Sequence, residues 1–438
     1  MTNNTNNTLI HQPGADLAEQ ASGLTPDLTQ SLRDNGQQAQ DGDPNEDRFR
    51  LGDYLLRGPD YRQILRWAEA LQMAPETLLA TFAETRLEPV EWECFEAIGF
   101  TVEDGAIISL AWNLARLPFA PADWEPGLLI RSLAIFFPYG GCQHYMLQPV
   151  LPQLEALVCQ GGTISDSRGS WRVGASTLDL SHVPALKALH CLTNPLTALD
   201  LTPVPGLTRL ECDDNQIKLL DLTPVPDLTD LCIRDSGLTS LKLASLKNLT
   251  RFDCRYNQLV TLDLMKMPGL THLDCRYNQL MTLDLSPVPG LSVLQCEGNQ
   301  FTTLDLSPVP ELSVLQCEDN QFTTLDLSPV PALTVLECCH NQITTLDLSP
   351  VPGLTKLCCT YNQLTTLDLT PVPALADFSI DHNQITTLNL GRMPGLTVLS
   401  FEYTQLTALD LSPVPGLTEL HCAHNQFSSL DLSPVPGL

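Results

Sequence analysis

Thiol and imidazole groups gather in one part of the sequence, where their types are those of a zinc site. Cys339 and His340 are adjacent, Cys358 follows shortly after them, and His382 lies further along. Cysteine thiolates and histidine nitrogens are preferred zinc ligands. The C-x-x-C spacing that marks such sites is missing from the sequence. We therefore predict no metal site and no cofactor, and we expect Cys339, Cys358 and Cys232 to face solvent as reduced thiols.

A second set of cysteines recurs at a fixed interval, once in each copy of a 21-residue repeat. Ile233, Ile380 and Phe401 fill the same place in other copies of the repeat. A place that accepts Cys, Ile and Phe is an apolar core position, in which a free cysteine packs as a small hydrophobic residue. We predict buried, reduced thiols along this cysteine column. Its members are Cys191, Cys212, Cys254, Cys275, Cys296, Cys317, Cys338, Cys359 and Cys422.

Aspartate recurs in the same way in ten of the twelve repeats, from Asp200 to Asp431. Carboxylates stacked about 4.8 Å apart repel by about 1 kcal/mol in water and by roughly 3–4 kcal/mol at an effective dielectric constant near 20. Ordered cations or hydrogen bonds must compensate for this repulsion. We expect hydrogen bonds, from turn amides or from threonines such as Thr303 and Thr324, because the dense carboxylate loop of a calcium site is missing from the repeats.

Groups with the arrangement of a catalytic site do not occur in the sequence. The histidines are scattered through different repeats, and neither a Gly-rich phosphate loop nor an HExxH motif is found. Cys94 and Cys142 have only His144 near them in the sequence, and we expect both in the core. We therefore predict that the protein is not an enzyme.

Arginine, tyrosine and histidine concentrate in three successive repeats. Alternation along a strand would turn these side chains outward, and arginine and tyrosine are over-represented among binding hot spots. We predict that this set, called the arginine patch below, binds a partner. The alternative is that Asp253 and Asp274 pair with the arginines as a solvated surface that needs no partner. The arginine patch comprises Arg234, Arg251, Arg255, Tyr256, His272, Arg276 and Tyr277.

The elements that position these residues come from a strict repeat. Twelve 21-residue units run from Leu186 through residue 437, and Leu438 opens a thirteenth. Each follows the pattern LxxLxCxxNxLxxLDL, often completed by SPVP, and its two alternating runs each predict a short parallel strand. The prolines predict an extended return segment, and the Asn at position 9 is expected to satisfy backbone groups at the bend. Because one unit buries too little to fold alone, the units must stack.

This pattern resembles the leucine-rich repeats, in particular a bacterial, 21-residue type sometimes called IRREKO. The resemblance covers residues 186–438, which are more than half of the chain. It implies a leucine-rich-repeat solenoid of short parallel β-strands used for protein recognition, and it implies no reaction. Residues 151–185 read as a degenerate first repeat with an insertion. We expect the array to continue beyond Leu438, where the last coil would otherwise be left without a polar cap.

The residues before the repeats predict two further segments. Residues 1–50 are rich in Asn, Thr, Gln and Gly and predict a disordered tail. Residues 51–150 show helical spacing and predict an all-α N-terminal domain. We expect its helices over 61–71, from Pro75 onward, over 102–117 and over 126–137.

Composition limits the possible functions. The chain has 438 residues, 23 of them Lys or Arg and 51 Asp or Glu, for a net charge of −28, which argues against a nucleic-acid partner. We expect no membrane partner, because no apolar run reaches the ~18 residues that a span needs. The odd total of 15 cysteines and the lack of a signal peptide favour the cytoplasm, with signal-less export left open.

Together these patterns predict a protein-recognition module or signalling adaptor that binds a protein partner on the exposed strand face. One alternative is a bacterial effector delivered without a cleaved signal peptide. The other is an enzyme whose chemistry lies in the α-helical domain.

Overall fold

The computed structural model describes the repeats almost completely and the region before them in part. The described residues are 48–51, 54–71, 74–75, 77–78, 99–103, 106–113, 130–136, 144–147, 151–166, 169–243 and 245–438. They fall into two compact units that divide after Phe136. The tail predicted over 1–50 lies almost wholly outside the described residues. Among the residues that are described, no helix is long and apolar enough to cross a membrane.

The first compact unit mixes strands with one helix. Its strands β1 and β2 form an antiparallel hairpin, β3 and β4 pair antiparallel, and β4 and β5 pair parallel. The elements are β1 (Arg48–Leu51), β2 (Tyr54–Arg57), α1 (Gly58–Ala70), β3 (Gly99–Glu103), β4 (Ala106–Asn113) and β5 (Ser132–Phe136).

The predicted all-α character of this region is not confirmed. Helix α1 matches the first predicted helix and buries Tyr61, Ile64 and Ala68 on one face. The helices predicted over 102–117 and 126–137 are wrong where the structure describes them, because β4 and β5 lie there. Short apolar runs with β-branched residues fit a buried strand as well as a helix, and here strand pairing prevails. The helix predicted from Pro75 lies mostly outside the described residues.

The second compact unit opens with β6 (His144–Leu147), β7 (Ala156–Gln160), β8 (Gly162–Asp166) and β9 (Gly169–Leu178). Strand β7 pairs in parallel with the first repeat strand, with Leu157 opposite Leu189. Strands β8 and β9 form an antiparallel hairpin that leaves the repeat pattern. The hairpin occupies the residues in which the sequence predicts an insertion.

Each repeat unit then supplies one short strand to a parallel sheet, and equivalent residues of neighbouring units lie opposite each other. In each three-residue strand the central residue is directed into the core and its neighbours outward, as in the half-buried, buried, half-buried order of Val293, Leu294 and Gln295. The strands are β10 (Ala188–Leu192), β11 (Arg209–Glu211), β13 (Asp230–Cys232), β15 (Arg251–Asp253), β16 (His272–Asp274), β17 (Val293–Gln295), β18 (Val314–Gln316), β19 (Val335–Glu337), β20 (Lys356–Cys358), β22 (Asp377–Ser379), β24 (Val398–Ser400) and β25 (Glu419–His421).

The second half of the repeat departs from the prediction. A second strand forms in only four of the described units, as β12 (Leu219–Asp221), β14 (Ser240–Lys242), β21 (Thr366–Asp368) and β23 (Thr387–Asn389). The SPVP segment is two consecutive turns and is not extended: Val309 N–H donates to the Leu306 carbonyl at 3.0 Å and Leu312 N–H to the Val309 carbonyl at 3.1 Å. Pro310 lies at the second position of the second turn, which its fixed φ suits, whereas Pro308 is the third residue of the first turn.

A column of buried asparagines holds neighbouring coils together, as the sequence predicts. The Asn299 amide nitrogen donates to the carbonyls of Cys275, Cys296 and Glu297 at 3.0, 3.1 and 3.1 Å, and its oxygen accepts from Leu280 N–H at 3.0 Å. Unmet buried backbone groups cost about 1–3 kcal/mol each, so every such asparagine secures the bend that follows the strand.

Candidate recognition face

The side chains that precede and follow each strand centre form an exposed face, on which the structure brings the whole arginine patch together. Arg251 and His272 lie opposite each other on β15 and β16 and are both exposed. The rings of Tyr256 and Tyr277 are stacked, with centroids 4.6 Å apart and planes 5° apart. These residues are 52% and 40% exposed. The patch therefore offers aromatic surface to a partner.

Three of the patch's arginines are held by carboxylates. Arg276 contacts Asp274 at 2.8 Å and Glu297 at 3.2 Å. Arg234 contacts Asp253 at 2.9 Å. Burial raises the pKa of Asp253, whereas the hydrogen bond that Arg276 donates to Asp274 raises the pKa of Arg276.

Arg255 is held in the same way, 3.4 Å from Asp274. The carboxylates of Asp253 and Asp274 are about nine-tenths buried. These ion pairs fix the guanidinium groups and neutralise part of their charge.

Position 8 of each repeat, just before the buried asparagine, adopts a backbone that few residues favour. It has a positive φ, between 46° and 57°, in eleven non-glycine residues of the array. Asp, Asn and glycine tolerate this region, whereas a bulky residue in it is an outlier. Gly298 and Asp319 occupy it in two units, but four units carry tyrosine there. The left-handed backbone alone therefore does not explain the tyrosines at this position.

Five of these residues stack into one column, called the ring ladder below, of His340, Tyr361, His382, Tyr403 and His424. Successive ring centroids are 4.2, 4.0, 4.2 and 4.1 Å apart, with planes within 15° of parallel. Stacking contributes about 0.5–1.5 kcal/mol per pair, which roughly offsets the ~1–2 kcal/mol of a left-handed backbone. Sequence reasoning missed this column, although its signal was a tyrosine or histidine at the same position of successive repeats.

The column of rings is interrupted at Gly298 and Asp319. A Cβ atom at Gly298 would lie 2.4 Å from Cδ1 of Tyr277, so the Tyr277 ring occupies space that a larger residue at position 298 would need. Tyr256 and Tyr277 therefore form a separate stack on the arginine patch.

The zinc arrangement that we considered from the sequence does not form. Cys339 and Cys358 are joined by a disulfide, with Cα atoms 6.0 Å apart. His340 and His382 belong to the ring ladder and are separated by Tyr361. Coil stacking brings residues that are far apart in sequence into disulfide range, which spacing along the chain does not reveal.

The expected exposure of the three cysteines outside the column is also wrong. Cys232 and Cys339 are buried and Cys358 is half-buried. Cys232 lies against Asp213 and Arg234, at 3.6 Å and 2.8 Å. Outward-pointing side chains on this face are packed among their neighbours in the next coils.

The cysteine column and the aspartate column are mainly structural. Column cysteines from Cys191 to Cys359 are free and buried, and Cys422 is half-buried. Burial raises the pKa of the Cys338 thiol to about 12, which keeps it protonated. The aspartates are hydrogen-bonded, as expected, but by the residue two positions on: Asp305 accepts from Ser307 N–H at 2.9 Å. These bonds, led by that from the Ser307 hydroxyl, lower the pKa of Asp305.

A carboxylate cluster lies between the arginine patch and the ring ladder. Glu297, Glu318 and Glu337 form the single group of three metal-ligand side chains found among the described residues, with oxygens within 4.8 Å of one another. Burial and a hydrogen bond with Glu297 raise the pKa of Glu318 to about 8. Lys356 contacts Glu337 at 2.5 Å. Arg276 and Lys356 therefore supply positive charge on the two sides of this cluster.

Comparisons with known proteins place the fold. A scan against protein-family models found no match, and a search of curated proteins found none either. Among solved structures, YopM from Yersinia enterocolitica is 23% identical over 84% of this chain and 78% of its own, with a TM-score of 0.57. A leucine-rich repeat protein of Leptospira interrogans is 20% identical over 68% of this chain and 80% of its own, with a TM-score of 0.52.

The functional domain of InlJ from Listeria monocytogenes, which includes a cysteine ladder, is 30% identical, with a TM-score of 0.45. The alignment covers 59% of this chain and 63% of that domain, so the chain spans less than two thirds of it. The likeness to YopM and to the Leptospira protein confirms the predicted leucine-rich, solenoid repeat. The chain has the fold of bacterial leucine-rich repeat proteins.

Proposed function

We propose that this protein is a recognition module, used as a signalling adaptor, that binds a protein partner through the arginine patch. The observation that carries the proposal is the exposed pair of stacked rings, Tyr256 and Tyr277, beside the exposed Arg251 and His272 on one parallel sheet. Aromatic rings and guanidinium groups supply large contact area and several donors at a binding surface. The strict period further supports the 21-residue, IRREKO-like type of repeat.

The ion pairs of the arginine patch suit this role. A guanidinium has five N–H donors, and a pairing with one or two carboxylates leaves others for a partner. Arg255 and Arg276 are held in place before binding, which lowers the entropy lost when a partner docks. The bend asparagines beneath make the sheet a rigid support.

The test uses the full chain and a partner captured by pull-down. We expect Arg255→Ala and Tyr277→Ala each to weaken binding by more than about 1 kcal/mol. Thr324→Ala, an exposed substitution in the second half of a repeat, is the matched control and should leave binding unchanged. Equal and negligible effects from all three substitutions would contradict the assignment.

We also propose a cytoplasmic location, with signal-less export as the alternative. The buried, free thiols of the cysteine column support a reducing compartment. The Cys339–Cys358 disulfide supports export, because disulfides persist mainly in oxidising compartments.

A further inference from the structure

The ring ladder presents unused polar groups to solvent. Each ring face inside the ladder is covered by the next ring, so the outer rims are what a partner meets. Tyr361 and Tyr403 are 46% and 45% exposed. Within the described residues, neither phenol hydroxyl has a hydrogen-bond partner. The ladder is thus a narrow apolar ribbon edged with hydroxyls and imidazole nitrogens.

The geometry of the ribbon excludes a chelated metal ion as its occupant. His340 and His382 are separated by the whole ring of Tyr361, which lies 4.2 Å from one and 4.0 Å from the other. Zinc–nitrogen bonds are about 2.0–2.1 Å long, so the two imidazoles do not reach one ion. An occupant that contacts several of the stacked rings must be extended along the column.

Charge indicates what kind of extended occupant fits. The outward positions of the repeats that carry the ring ladder hold five carboxylates and one lysine. The lysine, Lys356, is already paired with Glu337. The remaining carboxylates have no lysine or arginine ion pair among the described residues, although His421 contacts Glu419 at 2.8 Å. These carboxylates are Asp377, Asp381, Glu402 and Glu419. This flank is complementary to a cationic ligand.

We propose that the ring ladder and its acidic flank dock a lysine- or arginine-rich segment of a protein partner. The phenol oxygens accept hydrogen bonds from ammonium or guanidinium groups, the ring rims cover the aliphatic stems, and Glu402 and Glu419 supply countercharge. The proposal rests on the role of the strand face in recognition. It uses residues other than those of the arginine patch and names the chemistry of the segment that they bind.

The backbone provides a clean way to test the ladder. Asparagine tolerates a positive φ better than tyrosine, so Tyr361→Asn and Tyr403→Asn remove rings without straining the chain. They also leave the net charge unchanged. Any loss of binding then reports on the rings and not on the general attraction of an acidic protein for cations.

The experiment measures fluorescence anisotropy of a labelled nonalysine peptide with the full chain at about 0.15 M ionic strength. We expect the Tyr361→Asn/Tyr403→Asn variant to raise Kd at least about tenfold, and Glu402→Gln/Glu419→Gln to act in the same direction. The matched control, Asp305→Asn/Asp326→Asn, removes two charges from the aspartate column and should change Kd less than about twofold.

Four results would overturn the proposal. The wild-type protein fails to bind the peptide, the ring variant binds as well as the wild type, or the control variant loses as much affinity as the acidic-flank variant. Equal binding of a nonaglutamate peptide would do the same. The peptide assay needs no captured partner, so a negative result in it does not contradict the proposal for the arginine patch. If Arg255→Ala fails to weaken partner binding, that result does not contradict the proposal for the ring ladder.

Discussion

The arginine patch and the ring ladder lie on the same exposed face of the repeats, yet their side chains are satisfied in different ways. In the patch, Arg276 and Arg255 are anchored to carboxylates that are about nine-tenths buried. In the ladder, Tyr361 and Tyr403 contact neighbouring rings and leave their hydroxyls unpaired within the described residues. Part of the patch supports the fold, whereas the rims of the ladder are free to bind.

An exposed position in a repeat is therefore not automatically a binding position. Removing a side chain with buried partners leaves those partners unsatisfied, and the cost appears as lost stability. Replacing a ladder tyrosine by asparagine loses ring stacking but relieves the left-handed backbone, so the net cost to the fold is small and the main effect appears in binding. Stability measurements therefore separate the two regions.

The largest expected effect is that of Arg276→Ala. It leaves Glu297 without its cation and Asp274 with only the longer, 3.4 Å contact to Arg255, and we expect the free energy of unfolding to fall by about 2–3 kcal/mol. Urea denaturation followed by circular dichroism measures it. The control is Arg251→Ala, which removes an exposed arginine with no ion pair in the described part of the chain and should cost less than about 0.5 kcal/mol. Similar losses of stability for the two variants would contradict the distinction between the paired Arg276 and the unpaired Arg251.

A smaller effect should appear at the carboxylate cluster as a pH dependence. The pKa of Glu318 is raised to about 8 in the folded protein from an ordinary value of 4.5. Its contribution to stability is therefore fully present below pH 4.5 and is lost as pH rises from 4.5 to 8. Glu318→Gln, which keeps the shape without the charge, should stabilise the protein at pH 8 more than at pH 5, as judged from Tm at both pH values. A Tm difference between variant and wild type that does not change with pH would contradict this account.

Much of the fold could be predicted from the sequence because its period is strict. The buried leucines, the cysteine column and the asparagine hydrogen bonds all follow from positions within one repeat unit. The turns at SPVP could not be separated from an extended segment, because proline suits both. Strand β4 was mistaken for a helix because a short apolar run has no decisive period.

The candidate site was predictable only in part. The sequence places the arginine patch on one face, but whether Arg255 meets Asp274 depends on side-chain reach between coils. The ring ladder becomes visible in the sequence only when residues at the same position of successive repeats are compared. Gly298 and Asp319 in the place of Tyr277 and His340 already indicated a left-handed backbone there.

The central claim, that partners bind the exposed strand face, is tested most directly by hydroxyl-radical footprinting of the full chain with its captured partner. Tyrosines of the strand face and methionines in the second halves of the repeats are both exposed. Their oxidation therefore reports separately on the two sides of the repeat array. The account predicts protection of Tyr256 and Tyr277, or of Tyr361 and Tyr403, with Met265 and Met281 oxidised as in the free protein. Protection of the methionines with unprotected tyrosines would contradict it.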